Sequence, residues 1–122
     1  MNLSRDSAET WATWFRALGD PTRIVILNLL ATAGRPMSVA EIVVAVDVGQ
    51  STVSHHLKIL GDVGFLLVDR EGTSSLWRIN EHCLDCFPTA AEVVMGRAPT
   101  AAQWETLMCT PTPKKPTRRA VR

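Results

Sequence analysis

Apolar positions in this chain recur mostly at intervals of three and four, and only one short region alternates. Ala8, Trp11, Phe15 and Leu18 lie on one helical stripe and predict a first helix over 7–18, capped by Asp6 or Ser7. Asp20-Pro21 then supplies a cap followed by proline at the first helical position, and Ile24, Val25, Leu27, Leu30 and Ala31 continue until Gly34 and Pro36. The density of that run predicts a second helix buried on nearly every side. Ser38 and Glu41 have the spacing of a capping box and open a short third helix through Ile42, Val43 and Val46, ending near Asp47.

The fourth helix, from Gln50 to about Val63 with Gly64 as its stop, divides sharply. At 100° per residue, His56, Leu57 and Leu60 fall within about 60° of Val53, while Ser51, Ser54, His55 and Lys58 span roughly 100° to 200°. One side is core and the other is rich in hydrogen-bonding groups. A short helix, a tight Asp47-Val48-Gly49 turn and a helix of this kind predict a helix-turn-helix.

Residues 66–70 and 75–79 read as strands joined by Glu71-Gly72-Thr73-Ser74, a hairpin that would make the motif winged. Asn80 is placed to cap another helix from Glu81. The Phe87-Pro88 step predicts a kink or restart in it, because proline lacks the amide and disfavours helical geometry before it. Gly96 and Pro99 close that helix. Thr100 and Gln103 repeat the capping-box spacing ahead of Trp104, Leu107 and Met108, with Cys109 at the end. The fold class is thus mainly α with a small β-hairpin: one winged helix-turn-helix domain over 1–110 and a basic, proline-rich, disordered tail over 111–122.

Composition narrows the function. With 122 residues, 13 Lys+Arg and 12 Asp+Glu, the chain has room for one small domain, and its formal charge of +1 makes no global case for binding a polyanion. The charge is uneven: all 12 acids share residues 1–110 with eight bases, whereas Lys114, Lys115, Arg118, Arg119 and Arg122 stand alone in the tail. That tail is suited either to tracking phosphates or to solubilising the end of the chain. The N-terminal segment holds Arg5, Asp6 and Glu9 and no apolar block, and no stretch reaches membrane-spanning length. The expectation is a cytoplasmic protein with no membrane partner, its three cysteines kept as thiols. No phosphate-binding glycine loop, nucleophile elbow or carboxylate pair suggests catalysis. Cys83-Leu84-Asp85-Cys86 has a dithiol-oxidoreductase spacing, but its Glu81-His82 and Phe87-Pro88 flanks and the lack of a βαβ setting argue against an enzyme.

Two blocks, Ala17-Leu18-Gly19-Asp20-Pro21-Thr22-Arg23-Ile24 and Gln50-Ser51-Thr52-Val53-Ser54-His55-His56-Leu57-Lys58-Ile59-Leu60, resemble signature segments of the ArsR/SmtB family of winged-helix repressors. The resemblance runs over about 10–95, through the Gly64 turn and the Arg70-Glu71-Gly72 wing. It implies a homodimer closed by the first and fifth helices, recognition helices in successive major grooves of operator double-stranded DNA, and release by an inducer. Gln50, Ser51, Thr52, Ser54, His55 and Lys58, with Arg70 and Arg78 of the wing, are then the candidate DNA contacts. His56 borders the core and is expected to pack. An apolar surplus in Trp11, Trp14, Phe15, Val93, Val94 and Met95 is a second reason to expect two copies to pack together.

The family's metal sites vary in location. The segment before the recognition helix has no cysteine here, and His82 with Asp85 is matched later only by Glu92, an incomplete zinc set. There remain Cys83 and Cys86, one turn apart, with Cys109 near the end of the last helix. A helix N-terminus is expected to lower the pKa of the pair, and three thiolates would form a soft trigonal site resembling those the family uses for arsenite. As(III) is the favoured inducer, with Cd, Pb and Hg as alternatives; a Cys83–Cys86 redox switch is a separate reading, and plain packing is another for Cys109.

Overall fold

The computed structural model describes the backbone of residues 3–108 and the side chains of residues 3–105. Helix α1 (Arg5–Ala17) begins two residues earlier than its apolar stripe suggests, because the Ser4 hydroxyl accepts from the Ser7 amide at 3.1 Å. Helix α2 (Pro21–Ala33) starts as expected: Asp20 accepts from the amides of Thr22 and Arg23, and Gly34 ends it with a left-handed φ of 65°. Only Ile26 and Leu30 of α2 are fully covered, however, while Ile24 and Val25 are about half exposed. The expected all-round burial therefore fails within one chain. An apolar run does not reveal which of its faces has a neighbour.

Ser38 serves two elements. It ends strand β1 (Met37–Ser38) and caps helix α3 (Val39–Val46), with both halves of the capping box present between it and Glu41. Helix α4 (Gln50–Asp62) follows the Asp47-Val48-Gly49 turn, where Asp47 adopts a left-handed φ of 56°. Strands β2 (Leu66–Glu71) and β3 (Ser74–Ile79) form the wing, and β1 pairs with β3 through Met37↔Trp77 and Ser38↔Leu76. The sheet therefore has three antiparallel strands in the order β1-β3-β2. Two residues are too few to give a period of two, so β1 was not legible beforehand.

Helix α5 (Cys83–Val94) starts after a turn in which Asn80 accepts from the His82 and Cys83 amides through its side chain and carbonyl respectively. It runs unbroken through Pro88. The restart expected at Phe87-Pro88 is absent: proline removes the hydrogen bond to the Leu84 carbonyl, and Leu84 is half exposed, where water can satisfy that group. Helix α6 (Ala101–Met108) opens on the Thr100/Gln103 capping box.

The core gathers Ile26, Leu30, Ile42, Val53, Leu57, Leu60 and Leu66, all at most 1% exposed. Each such side chain contributes roughly 1.5–3 kcal/mol through burial. Gly61 lets the wing close on α4, since a Cβ there would lie 3.1 Å from Cζ3 of Trp77. Phe87 ties α5 to both sides, with its ring centroid 5.2 Å from Phe15 and 5.5 Å from Phe65. Trp11 and Trp14 are already 5% exposed within the single chain, so they are not part of a surplus awaiting a partner. Phe15, Val94 and Met95 do remain exposed.

Candidate nucleic-acid interface and dithiol pair

The inner side of α4 seats Val53, His56, Leu57 and Leu60, leaving Gln50, Ser51, Thr52, Ser54, His55 and Lys58 outward. The two sets occupy opposite sides of one rigid helix, as its periodicity predicts. Gly49 precedes the helix without a side-chain cap, so the amides of the first turn point free toward whatever meets that end. Lys58 is exposed but reaches Asp62 at 3.2 Å, which moderates its charge. Arg70 is exposed near the wing tip. Arg78, its expected companion, instead donates from Nε to Asp69 across the hairpin at 2.9 Å. That cross-strand pair must be shared or broken before Arg78 can neutralise a phosphate.

Position 23 was not singled out from sequence. Arg23 lies between the end of α1 and the recognition helix: Nε donates to the Ala17 carbonyl, and Nη1 lies 3.2 Å from Nδ1 of His56. A guanidinium only donates, so Nδ1 accepts and His56 carries its proton on Nε2. Desolvation raises the Asp20 carboxyl, but the amides of Arg23 and Thr22, with the charge of the Arg23 side chain, outweigh it and hold its pKa below the ordinary value. As pH falls through that lowered value the stabilisation from this cap is lost. A buried histidine in the Ser54-His55-His56 run is the one sequence hint that α2 supplies a partner.

Cys83 and Cys86 both begin α5 as thiols, one half-buried and the other 1% exposed. The Cys83 Sγ donates to the Gly64 carbonyl at 3.3 Å. Burial, with the adjacent Cys86 adding to it, pushes the Cys83 thiol up to about 12. The expected lowering of its pKa is therefore reversed: desolvation of a thiolate outweighs the partial charge of a helix terminus. Alkylation of Cys83 by iodoacetamide at pH 7.5 should run about a thousandfold slower than that of an unperturbed thiol, and should keep rising with pH past about 10. A rate that levels off near pH 10, read by mass spectrometry, would show an ordinary thiol. Among the described residues no three His, Cys, Asp or Glu side chains converge on a metal position. The third expected sulfur, Cys109, lies outside the described residues, as does the basic tail.

The profile described as bacterial regulatory protein, arsR family, matches residues 20–67, from the cap of α2 into β2. A Methanocaldococcus jannaschii protein described as an uncharacterized HTH-type transcriptional regulator is 44% identical over 71 residues, 58% of this chain and 79% of that protein. The chain belongs to the ArsR family. The arsenical resistance operon repressor of Escherichia coli strain K12 is 34% identical over 68 residues, 56% of this chain and 57% of that repressor. A solution structure from Mycobacterium bovis, a homodimeric winged helix-turn-helix DNA-binding domain of a possible ArsR-family regulator, shares 27% identity and a TM-score of 0.61, covering 81% of this chain and 93% of that one. This ArsR-family chain is accordingly a winged-helix transcriptional repressor and not an enzyme. No helix among its described residues is long and apolar enough to cross a membrane.

Proposed function

We propose that this protein binds operator DNA as a homodimer and is released when a soft, thiophilic ion, arsenite before others, is captured by Cys83 and Cys86 with Cys109 as the third sulfur. The observation that carries the DNA half is the division of α4, whose hydrogen-bonding side is wholly exposed beside a wing bearing Arg70. Two such helices set about 34 Å apart enter successive major grooves. The exposed Phe15 of α1, with Leu84 and Val94 of α5 and Met95 just after it, supports pairing between copies, as does the homodimeric Mycobacterium bovis relative.

The effector half rests on the dithiol at the start of α5, and the arsenical resistance repressor of Escherichia coli supports a thiophilic inducer. The chemistry of the pair favours arsenite over divalent Cd, Pb or Hg. A divalent ion must displace protons, which a thiol raised to about 12 gives up reluctantly. Arsenous acid condenses with neutral thiols and loses water, so no net proton is released. The same raised thiol disfavours oxidation, because thiol redox chemistry proceeds through the thiolate.

The test is fluorescence anisotropy of labelled inverted-repeat DNA bound by the protein, titrated separately with arsenite, Cd, Pb, Hg and Zn. Arsenite should weaken binding about five- to 150-fold, the usual range of allosteric coupling. Cys86→Ser should abolish the response. Full release of that variant by arsenite rejects the site, and release by zinc alone rejects the soft-ion reading.

A further inference from the structure

Helix α4 leaves its last turn through a tightly tied segment. The Gly64 amide donates to the Gly61 carbonyl at 3.1 Å and the Phe65 amide to Leu60 at 3.0 Å, with Gly64 at a left-handed φ of 92°. Gly64 is buried, so water does not satisfy its carbonyl. Two donors do: Asn80 Nδ2 at 2.9 Å and the Cys83 thiol at 3.3 Å. The same few residues close the circuit, since the Asn80 amide donates to Phe65 and the Cys83 amide to Asn80, each at 2.9 Å. The start of α5 is thus hydrogen-bonded, through one sulfur and one carboxamide, to the end of the recognition helix.

We infer that Cys83 is the coupling element of the repressor as well as a ligand: its S–H holds the Gly64 carbonyl, and capture of the sulfur lets that carbonyl go and loosens the seating of α4. This rests on the inducer reading above. When arsenous acid is captured, the S–H and one As–O bond break, an S–As bond and an O–H bond form, and water leaves; arsenic stays trivalent. The sulfur that results has no proton to donate. Gly64 keeps only the Asn80 donor, and a buried carbonyl deprived of a partner favours any shift of the α4 exit that finds another. Both cysteines bind the ion, and Cys83, through its bond to Gly64, transmits.

Removing the donor should reproduce the induced state without any ion. Operator affinity, measured per active dimer by stoichiometric titration and in the absence of arsenite, is compared among the full-length wild type, Cys83→Ser and Cys83→Ala. Serine keeps an O–H for Gly64 and should bind DNA like wild type while ignoring arsenite. Alanine should bind about five- to tenfold more weakly, the lower part of the coupling range, with its helical content unchanged. If Cys83→Ala folds poorly, Cys83→Val fills the volume without a donor and replaces it. Equal affinity of all three, or equal loss in serine and alanine, overturns the inference, because the S–H would then hold structure or volume and not the grip on DNA. A serine–alanine split in a protein that arsenite does not release would keep the coupling and discard the inducer.

Discussion

Ser54→Glu is expected to remove operator binding while leaving the fold intact. Ser54 is in the middle of the exposed side of α4, one turn beyond Gln50 and one turn before Lys58. A carboxylate there meets phosphates and base edges at close quarters, and like charges at such an interface cost several kcal/mol, about a hundredfold or more in affinity. Glutamate is also a good helix former, so the helix itself loses nothing. Anisotropy at moderate salt measures the loss, and circular dichroism confirms the unchanged melting. Retention of near-wild-type affinity would mean that this side of α4 does not face DNA.

Leu57→Ala should act in the opposite way, on stability before function. Leu57 is 0% exposed and lies among Val53, Leu60 and the other fully covered aliphatic side chains. Truncating such a leucine costs about 2–5 kcal/mol, a large part of the 5–15 kcal/mol that holds a typical domain together. The melting midpoint should fall by roughly 10–20 °C. Lys58→Ala, its exposed neighbour, should stay within about 0.5 kcal/mol of wild type, because its bond to Asp62 is a solvent-screened pair. A Leu57→Ala variant that melts like wild type would contradict the packing of α4 described above.

Much of the architecture could be read from the chain because its boundaries are marked by local chemistry. Asp20-Pro21, Ser38 with Glu41, and Thr100 with Gln103 are caps whose partners lie within three residues, and all three form. The wing turn and the end of α4 required glycine, and Gly72 and Gly64 have the positive φ that explains it. What escaped notice depends on contacts distant in sequence. The two-residue β1 exists only because β3 comes alongside it. Trp11 and Trp14 turned out to be covered, and Ile24 and Val25 open, because burial is decided by neighbours and not by hydropathy.

The candidate site divides along the same line. The exposed side of α4 follows from a 3.6-residue period and was legible, including the inward turn of His56. The Arg78–Asp69 pair depends on strand register, and the Arg23–His56 contact spans 33 residues, so neither had a local signal. At Cys83 the proximity of a helix terminus suggested an acidic thiol. Burial, with Cys86 adding to it, decided otherwise.

The short pairing of Met37 and Ser38 with Trp77 and Leu76 anchors the hairpin only at its root. Everything beyond, from Arg70 round to Ser75, is a cantilever fixed at one end to the same residue that caps α3. Lengthening or shortening the tip therefore changes how far the arm extends along a duplex without disturbing the body that carries it, so reach and recognition can be altered independently.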